Sequence, residues 1–271
     1  MGHAARGAHA VAVAWRGVHH GRPARIAYRE GAPGPGSLGG SGVKVVLFDI
    51  DGTLLRTDGA GRRSMEHALF TVFGAHGDPA YRYDGKTDRQ ITREQMRAAG
   101  IADDVIDARM LDVFAVYAER LERELASGAE QAILMAGIPP LLETLGAHEA
   151  VTVGLLTGNI EAGARQKIQA VNLAWEQFLV NAFGSDHEHR PMLPAVAQQR
   201  AQALLGCEIP GERMVIIGDT PADIHCGRSL NVRAIGVATG RYSVNELAEH
   251  QPAAVFDTLA DTEAVVEAIL A

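Results

Sequence analysis

The stretch VKVVLFDIDGTLL, residues 43–55, decides the fold class. Its apolar residues 43–48 predict a buried strand, and two carboxylates, Asp49 and Asp51, follow at once. Strand residues alternate faces, but Gly52 lets the chain turn, so both acids can reach one pocket beyond the strand. Two acids placed together need a positive partner. A divalent cation supplies the positive charge, and a phosphate ester is the usual companion of such a cation. A strand that simply ends in a polar turn is the alternative.

Composition narrows the class of protein. The chain has 271 residues, of which 47% are hydrophobic and 5% aromatic, as in an α/β protein packed with small aliphatic side chains. Residues 1–42 carry a net charge of +4 and the remainder −12. An acidic body does not attract nucleic acid or anionic membranes. No apolar run reaches the roughly 18 residues of a membrane span. The two cysteines, Cys207 and Cys226, lack metal-ligand spacing and indicate packing residues in a reducing cytoplasm.

The first 42 residues predict a disordered tail. They contain ten Gly, four His and three Pro, with little periodicity. A mis-assigned start is the alternative origin of this segment. Gly34, Gly36 and Gly39 spell the dinucleotide-binding pattern G-x-G-x-x-G, but no strand precedes it and prolines interrupt it, so we reject it.

The rest of the chain alternates strands with helices. Apolar segments predict strands at residues 43–48, 151–156, 180–183, 214–217, 233–237 and 254–256. Amphipathic segments predict helices at residues 161–170, 195–205 and 222–230. This alternation is typical of a Rossmann-like, doubly wound parallel sheet, and the predicted fold class is α/β.

One connection is far longer than a crossover, which needs only about a dozen residues. Residues 54–150 hold helical patterns at 62–73, 88–99, 104–125 and 140–145, and no convincing strand. We expect residues 58–137 to form an inserted all-helical cap over the carboxyl ends of the strands. Residues 43–57 and 138–271 would form the core.

Two further motifs follow apolar strands. In VTVGLLTGN, we expect Thr157, Gly158 and Asn159 to lie at the start of a helix and to bind a phosphate group. An ordinary turn with a helix cap would have the same sequence and is the alternative. In MVIIGDTPADI, Asp219 and Asp223 would gather oxygens for Mg²⁺ from two elements. The alternative makes Asp219 a helix cap and Asp223 a surface acid.

The order and spacing of FDIDGT, LLTGN and IIGDTPADI resemble the haloacid dehalogenase (HAD) superfamily, in its phosphoglycolate-phosphatase-like branch, over residues 43–271. The resemblance implies that Asp49 is a nucleophile forming an aspartyl-phosphate. It makes Asp51 the general acid and then base, and it makes Thr157 the holder of the phosphoryl group. It also implies a Mg²⁺ site formed by Asp49, the Asp51 carbonyl and Asp219, with Asp223 at or near the metal.

The family's usual lysine before the last motif is missing. The chain has only Lys44, Lys86 and Lys167; none lies between residues 172 and 219, and Lys167 is in mid-helix, too soon after the LLTGN motif. We expect Arg190 to supply the charge, since its planar fork suits phosphate. An arginine on a polar loop is the alternative. The nearby His187 and His189 are expected to be solvated.

The segment YDGKTDRQI, residues 83–91, resembles the cap loop of phosphoglycolate-phosphatase-like and sugar-phosphate-mutase-like members. Lys86 is therefore a candidate substrate contact. A helix cap at Thr87 or Asp88 explains the same letters.

These features predict a Mg²⁺-dependent phosphatase of a small phosphomonoester, with a phosphoglycolate-like ester as one candidate. The alternatives are a sugar phosphomutase of the same build and, with less support, a phospho-accepting signalling domain. The expected partner is a small phosphorylated metabolite, with no nucleic acid or membrane. The protein is expected to be a cytoplasmic monomer or homodimer.

Overall fold

The computed structural model describes residues 42–127 and 132–271. The predicted tail, except for Gly42, lies outside these residues. Within them, no helix combines the length and apolarity that crossing a membrane requires.

The described chain alternates strands and helices as the sequence predicts. Its elements are β1 (Lys44–Phe48), β2 (Leu55–Arg56), α1 (Ala60–Phe73), α2 (Asp88–Ala98), α3 (Asp103–Ser127), β3 (Ile133–Leu134), α4 (Ile138–Ala147), β4 (Val151–Leu156), α5 (Glu161–Ala170), β5 (Val180–Ala182), α6 (Leu193–Leu205), β6 (Met214–Gly218), α7 (Pro221–Cys226), β7 (Arg233–Val237), α8 (Val244–Ala248), β8 (Ala254–Phe256) and α9 (Thr262–Leu270). Six of the strands form one sheet in the order β5-β4-β1-β6-β7-β8, and every neighbouring pair is parallel. The predicted α/β, Rossmann-like fold class is confirmed.

Helices cover both faces of this sheet. Val46 and Phe48 of β1 belong to the apolar cluster that includes residues of α4, α5 and α9. Val45 and Leu47 belong to the opposite cluster, with α6 and the end of α7. Alternate residues of one strand thus enter different cores, which explains why β1 is apolar throughout rather than alternating.

Helices α1, α2 and α3 supply most of a further apolar cluster, which includes Met65, Met96 and Val113 and which Ile160, just before α5, also joins. The chain leaves the core and returns to it through a short antiparallel ladder that pairs β2 with β3. The sequence analysis expected no strand in this connection, and that expectation is wrong. Two residues on each side are too few to show a period of two, so the ladder carries no sequence signal.

The helix predicted at residues 222–230 is shorter in the structure. Helix α7 ends at Cys226, and residues Arg228–Leu230 form a separate 3₁₀ turn. Gly227 lies between them, where an added Cβ would come within 2.6 Å of Val232. Glycine weakens the helix at this point, and the close approach of the chain requires it.

Candidate active site

The loops that follow β1, β4 and β6 lie side by side, because these strands are neighbours and parallel. The strand order reverses between β1 and β6, which is where open α/β sheets bind ligands. A cavity of about 400 Å³ opens here between these loops and the inserted helices, which are α1, α2 and α3 with the loops that join them. It is bordered by all the predicted site residues except Asp223.

Asp49 lies directly beyond β1 and is buried. Its backbone N–H donates to the Ile217 carbonyl at 2.9 Å, which continues the pairing of β1 with β6. Burial raises the pKa of the Asp49 carboxyl to about 6; the Arg190 charge opposes this shift, and the neighbouring acids Asp223 and Asp51 add to it. The Arg190 charge thus offsets part of the cost of burying the Asp49 carboxylate.

The turn after Asp51 makes room for Asp219. Gly52 has a φ of +85°, and an added Cβ would lie 2.4 Å from Asp219 Oδ2. Gly240 approaches the same carboxylate, since its Cβ would lie 1.7 Å from it. Thr53 Oγ1 donates to Asp219 Oδ1 at 3.2 Å. The two glycines and Thr53 thus place Asp219 against Asp49.

Asp49, Asp219 and Asp223 form a buried cluster with one oxygen of each lying within 4.8 Å of the others. Burial, with the charges of Asp223 and Asp49, raises the pKa of Asp219 to about 9. Carboxylate oxygens are the donors that Mg²⁺ prefers, and a cation would offset this repulsion. The residues present fit a divalent cation.

Asp223 is less free than the other two acids. Its Oδ2 accepts from the N–H and the hydroxyl of Thr220, at 3.0 and 2.6 Å, in a capping box that starts α7. Its Oδ1 accepts from Arg190. The alternative interpretation of MVIIGDTPADI is therefore wrong, because Thr220 is the cap and Asp223 is buried.

Arg190 follows β5 and is buried beside Asp49. Its Nη2 lies 3.1 Å from Asp49 Oδ1 and also pairs with Asp223. Burial disfavours its charge, but the carboxylates of Asp223 and Asp49 outweigh burial and raise the pKa of the guanidinium. Its Nε–H is buried without a partner among the described residues, which leaves a donor for a ligand oxygen.

A second cation also enters the site, and the sequence analysis missed it. Lys167 Nζ donates to Asp51 Oδ1 and Oδ2 at 2.8 and 2.6 Å, and to Asn159 Oδ1 at 2.7 Å. The inference that Lys167 falls too soon after LLTGN was wrong, because two turns of α5 bring it back over the strand end. A signal existed: Gly163, Ala164, Lys167 and Ile168 share the buried face of α5, where an unpaired lysine would be costly.

The LLTGN motif differs from the expected cradle. Helix α5 begins only at Glu161, and the Ile160 N–H is already taken by Asp88 at 2.8 Å. Thr157 Oγ1 accepts from the Asn159 side chain at 2.8 Å, and within the described residues it donates to no protein group. Its hydroxyl hydrogen remains available for a ligand oxygen.

The loop before α2 approaches the core closely. An added Cβ on Gly158 would lie 2.0 Å from the Lys86 carbonyl, and the Asp88 N–H donates to the Gly158 carbonyl at 2.8 Å. Lys86 borders the cavity, but its Nζ is held by Glu94 at 2.6 Å and by the Tyr81 hydroxyl at 2.8 Å. Thr87 caps α2, so the capping explanation of this segment is correct for Thr87.

His187 and His189 lie next to each other on the loop before Arg190, with ring centroids 5.7 Å apart. Among the described residues they belong to no cluster that could hold a metal ion.

Sequence comparisons find a family and a relative that are similar to this chain. Residues 191–262 match a family model described as HAD-hydrolase-like. A probable phosphatase, IndB, of Dickeya dadantii is 25% identical over 227 residues, which cover 83% of this chain and 94% of that protein.

Solved structures share the fold. A hydrolase from Pseudomonas syringae superposes with a TM-score of 0.62 at 21% identity, over 83% of this chain and 99% of that one. A putative beta-phosphoglucomutase from Bacteroides vulgatus gives a TM-score of 0.60 at 18% identity, over 84% of this chain and 89% of that one. The three motifs, the parallel sheet and the family match make this chain similar to HAD-like hydrolases, and the relative named as a probable phosphatase supports an enzyme of that kind.

Proposed function

We propose that this enzyme is a Mg²⁺-dependent phosphatase that hydrolyses a small phosphomonoester through a phosphorylated Asp49. The observation that carries the proposal is the buried Asp49 carboxylate, held 3.1 Å from Arg190 at the floor of a cavity. Phosphoryl transfer depends chiefly on positioning the reacting groups and on neutralising charge. A buried acid paired with a cation at a strand end supplies both.

The acidic cluster would hold the metal. We propose that Asp49, Asp219 and the backbone carbonyl of Asp51 are ligands, with Asp223 beside them. Bound there, a divalent cation would neutralise charge on the phosphoryl oxygens.

The first half-reaction transfers the phosphoryl group to the protein. An oxygen of Asp49 attacks phosphorus, and the bond from phosphorus to the leaving oxygen breaks. Arg190 offsets the charge beside Asp49, and the Thr157 hydroxyl donates to a phosphoryl oxygen. Asp51 gives a proton to the leaving oxygen, so the product departs as an alcohol.

The second half-reaction restores the enzyme. A water oxygen attacks phosphorus, its proton passes to Asp51, and the bond from phosphorus to Asp49 breaks. Asp51, whose carboxylate borders the cavity, serves both halves from one position.

We further propose that the inserted helices act as a cap over this site, within residues 58–137. Two contacts support a closed arrangement. The Thr87 hydroxyl donates to the Glu188 carbonyl at 2.5 Å, and Arg93 pairs with the Glu188 carboxylate at 2.7 Å. Such a cap would exclude bulk water before the aspartyl-phosphate forms.

Turnover of a panel of phosphate esters tests the activity. We expect phosphate release with Mg²⁺ and its loss with EDTA, and a small acidic ester such as phosphoglycolate belongs in the panel. No release from any ester, with or without a divalent metal, would overturn the proposal.

A sugar phosphomutase is the second candidate, since one structural neighbour is named as a putative beta-phosphoglucomutase. A mutase would return the phosphoryl group to a second hydroxyl instead of to water. Isomer formation from a hexose phosphate without stoichiometric phosphate release would favour it.

Proton release tests the metal site separately from activity. Burial and the neighbouring carboxylates raise the pKa of Asp219, so we expect the metal-free cluster of Asp49, Asp219 and Asp223 to retain a proton near neutral pH. Mg²⁺ should displace about one proton as it binds. Calorimetry in two buffers of different ionisation enthalpy measures this number; binding without proton release would contradict the assignment of Asp219.

A further inference from the structure

The site contains two buried cations that contact different acids. Arg190 pairs with Asp49 and Asp223, while Lys167 pairs with Asp51. No hydrogen bond or ion pair joins Arg190 to Asp51 or Lys167 to Asp49 within the described part of the chain. The nucleophile and the proposed acid and base are therefore held by separate groups.

Lys167 makes three hydrogen bonds, two to the carboxylate of Asp51 and one to Asn159 Oδ1. Its side chain is only 4% exposed, whereas that of Asp51 is 44% exposed. An aspartate so open to solvent would sample several rotamers if nothing held it. The rigid partner is thus Lys167, and the group it restrains is Asp51.

Asn159 completes the restraint. Its Nδ2 donates both to Asp51 Oδ2 and to Thr157 Oγ1, at 2.8 Å each, and its Oδ1 accepts from Lys167. This links the carboxylate of Asp51 to the hydroxyl that would bind the phosphoryl group. A fixed relation between these two groups is what proton transfer to a leaving oxygen on that phosphoryl group needs.

The inserted helices close over the same lysine. An added Cβ on Gly61 of α1 would lie 3.1 Å from Lys167 Nζ. The Tyr117 hydroxyl lies 3.8 Å from the same Cβ position. The ammonium therefore has little room to leave Asp51 while the insertion is in place.

We propose that Lys167, acting with Asn159, is the positioning residue for Asp51, and that it aims this carboxyl at the leaving oxygen. The inference rests on the proposed phosphatase activity. It assigns Lys167 a different task from that of Arg190, which serves the nucleophile. Lys167 touches no reacting atom and acts through Asp51.

The dependence of kcat/KM on the leaving group tests this assignment. In the proposed mechanism, kcat/KM covers the steps up to loss of the leaving group, so it isolates the first half-reaction. An alkyl phosphate needs a proton on its leaving oxygen, and p-nitrophenyl phosphate scarcely does. Lys167→Met should lower kcat/KM on the order of 10²-fold for the alkyl ester, within the range for general acid catalysis, but less than about tenfold for the aryl ester.

Asp51→Asn is the reference variant. If it shows the same selective loss and the Lys167→Met/Asp51→Asn double variant is no slower than Asp51→Asn alone, Lys167 acts through Asp51. Equal losses with both esters in Lys167→Met would overturn the inference, because a structural or phosphoryl-binding role predicts them. Equal losses in Asp51→Asn as well would instead remove Asp51 from its proposed role.

Restoring the ammonium separates position from folding. Lys167→Cys treated with 2-bromoethylamine regains an amine at nearly the same reach, with the treated wild-type enzyme as control for Cys207 and Cys226. We expect the selective loss to reverse. A treated variant that carries the modification and remains folded, yet stays slow with the alkyl ester alone, would also overturn the inference.

Discussion

The loops at the strand ends and the inserted helices hold their charges in different ways. At the strand ends, Asp49, Asp223 and Arg190 are buried against one another. In the insertion, the Lys86–Glu94 and Arg62–Glu66 pairs are partly exposed. Buried charges interact strongly and shift each other's pKa, whereas exposed pairs contribute about 0–1 kcal/mol.

This difference assigns separate tasks to the two regions. Substitutions at the strand ends should lower kcat, because in the proposed mechanism the charges there act on the reacting atoms. Substitutions in the insertion should alter KM, stability or pH dependence. Each prediction below tests one side of that division.

Asp49→Asn should give the largest effect. It removes the attacking oxygen while keeping the size of the side chain, so kcat should fall on the order of 10⁴-fold or more. Circular dichroism and steady-state kinetics check fold and turnover together. Asp257→Asn, at an exposed acid after β8, is the matched control and should leave kcat unchanged. Ordinary turnover by a folded Asp49→Asn enzyme would refute the mechanism.

Arg190→Ala should come next, with a loss on the order of 10²–10³-fold in kcat, comparable to removing one transition-state stabiliser. It also leaves Asp49 and Asp223 buried without their cation, which destabilises the fold by about 3–5 kcal/mol. Kinetics must therefore be measured well below the melting temperature. Arg190→Lys should recover much of the activity, since a point charge replaces the fork.

Arg200→Ala is the control for Arg190. Arg200 pairs with Asp186 at 2.7 Å, but its side chain is 44% exposed, against 4% for Arg190. We expect little change in kcat and about 0–1 kcal/mol in stability. Equal kinetic losses for both arginines would show that burial at the strand ends does not set the size of the effect.

The division between the strand-end loops and the insertion also explains which features the sequence predicts and which it does not. Strands β4, β7 and β8 match their predicted bounds, because an apolar strand between turns is a local pattern. Arg190 can be predicted as the cation of the site because no lysine lies between residues 172 and 219. Lys167 carries only the signal of its place on the buried face of α5, and its partner Asp51 lies 116 residues away in the chain. Asp88 is not recognisable, because its contact with Ile160 depends on how the insertion packs. Local patterns predict the sheet; contacts between the insertion and the core need the structure.

Asp88→Asn tests the insertion side through pH. Asp88 begins α2, is buried, and accepts from the Ile160 N–H at 2.8 Å. Burial raises its pKa from the usual 3.8 to about 6, although the charge of Lys167 and the Ile160 hydrogen bond oppose this. The folded state thus binds this proton more tightly than the unfolded state. The resulting stability is fully present below pH 3.8 and is lost as pH rises through 6.

Asparagine keeps the acceptor and removes the titration. Relative to Asp88→Asn, the wild-type protein should therefore lose up to about 3 kcal/mol of unfolding free energy between pH 4 and 7. Denaturant unfolding at several pH values measures this difference. Asp104→Asn, at an exposed acid of α3, is the control and should run parallel to wild type. Parallel curves for Asp88→Asn would mean that Asp88 is more solvated than its packing indicates.

The smallest effect is expected at Lys86, and it decides whether the insertion touches substrate. If Lys86 reaches an anionic ester, Lys86→Met should raise KM roughly fivefold with kcat unchanged, since a partly exposed charged contact contributes about 1 kcal/mol. Glu94→Gln removes the competing carboxylate that now holds Lys86 at 2.6 Å, so KM should stay level or fall.

Thr87→Ala, which deletes the cap of α2, should reduce stability by about 1 kcal/mol without changing KM. If Lys86 only stabilises the loop before α2 through its ion pair with Glu94, Lys86→Met and Glu94→Gln will lower stability by similar amounts and leave KM unchanged. A fall in kcat with every ester would instead bring Lys86 into the reacting centre and break the division between the two regions.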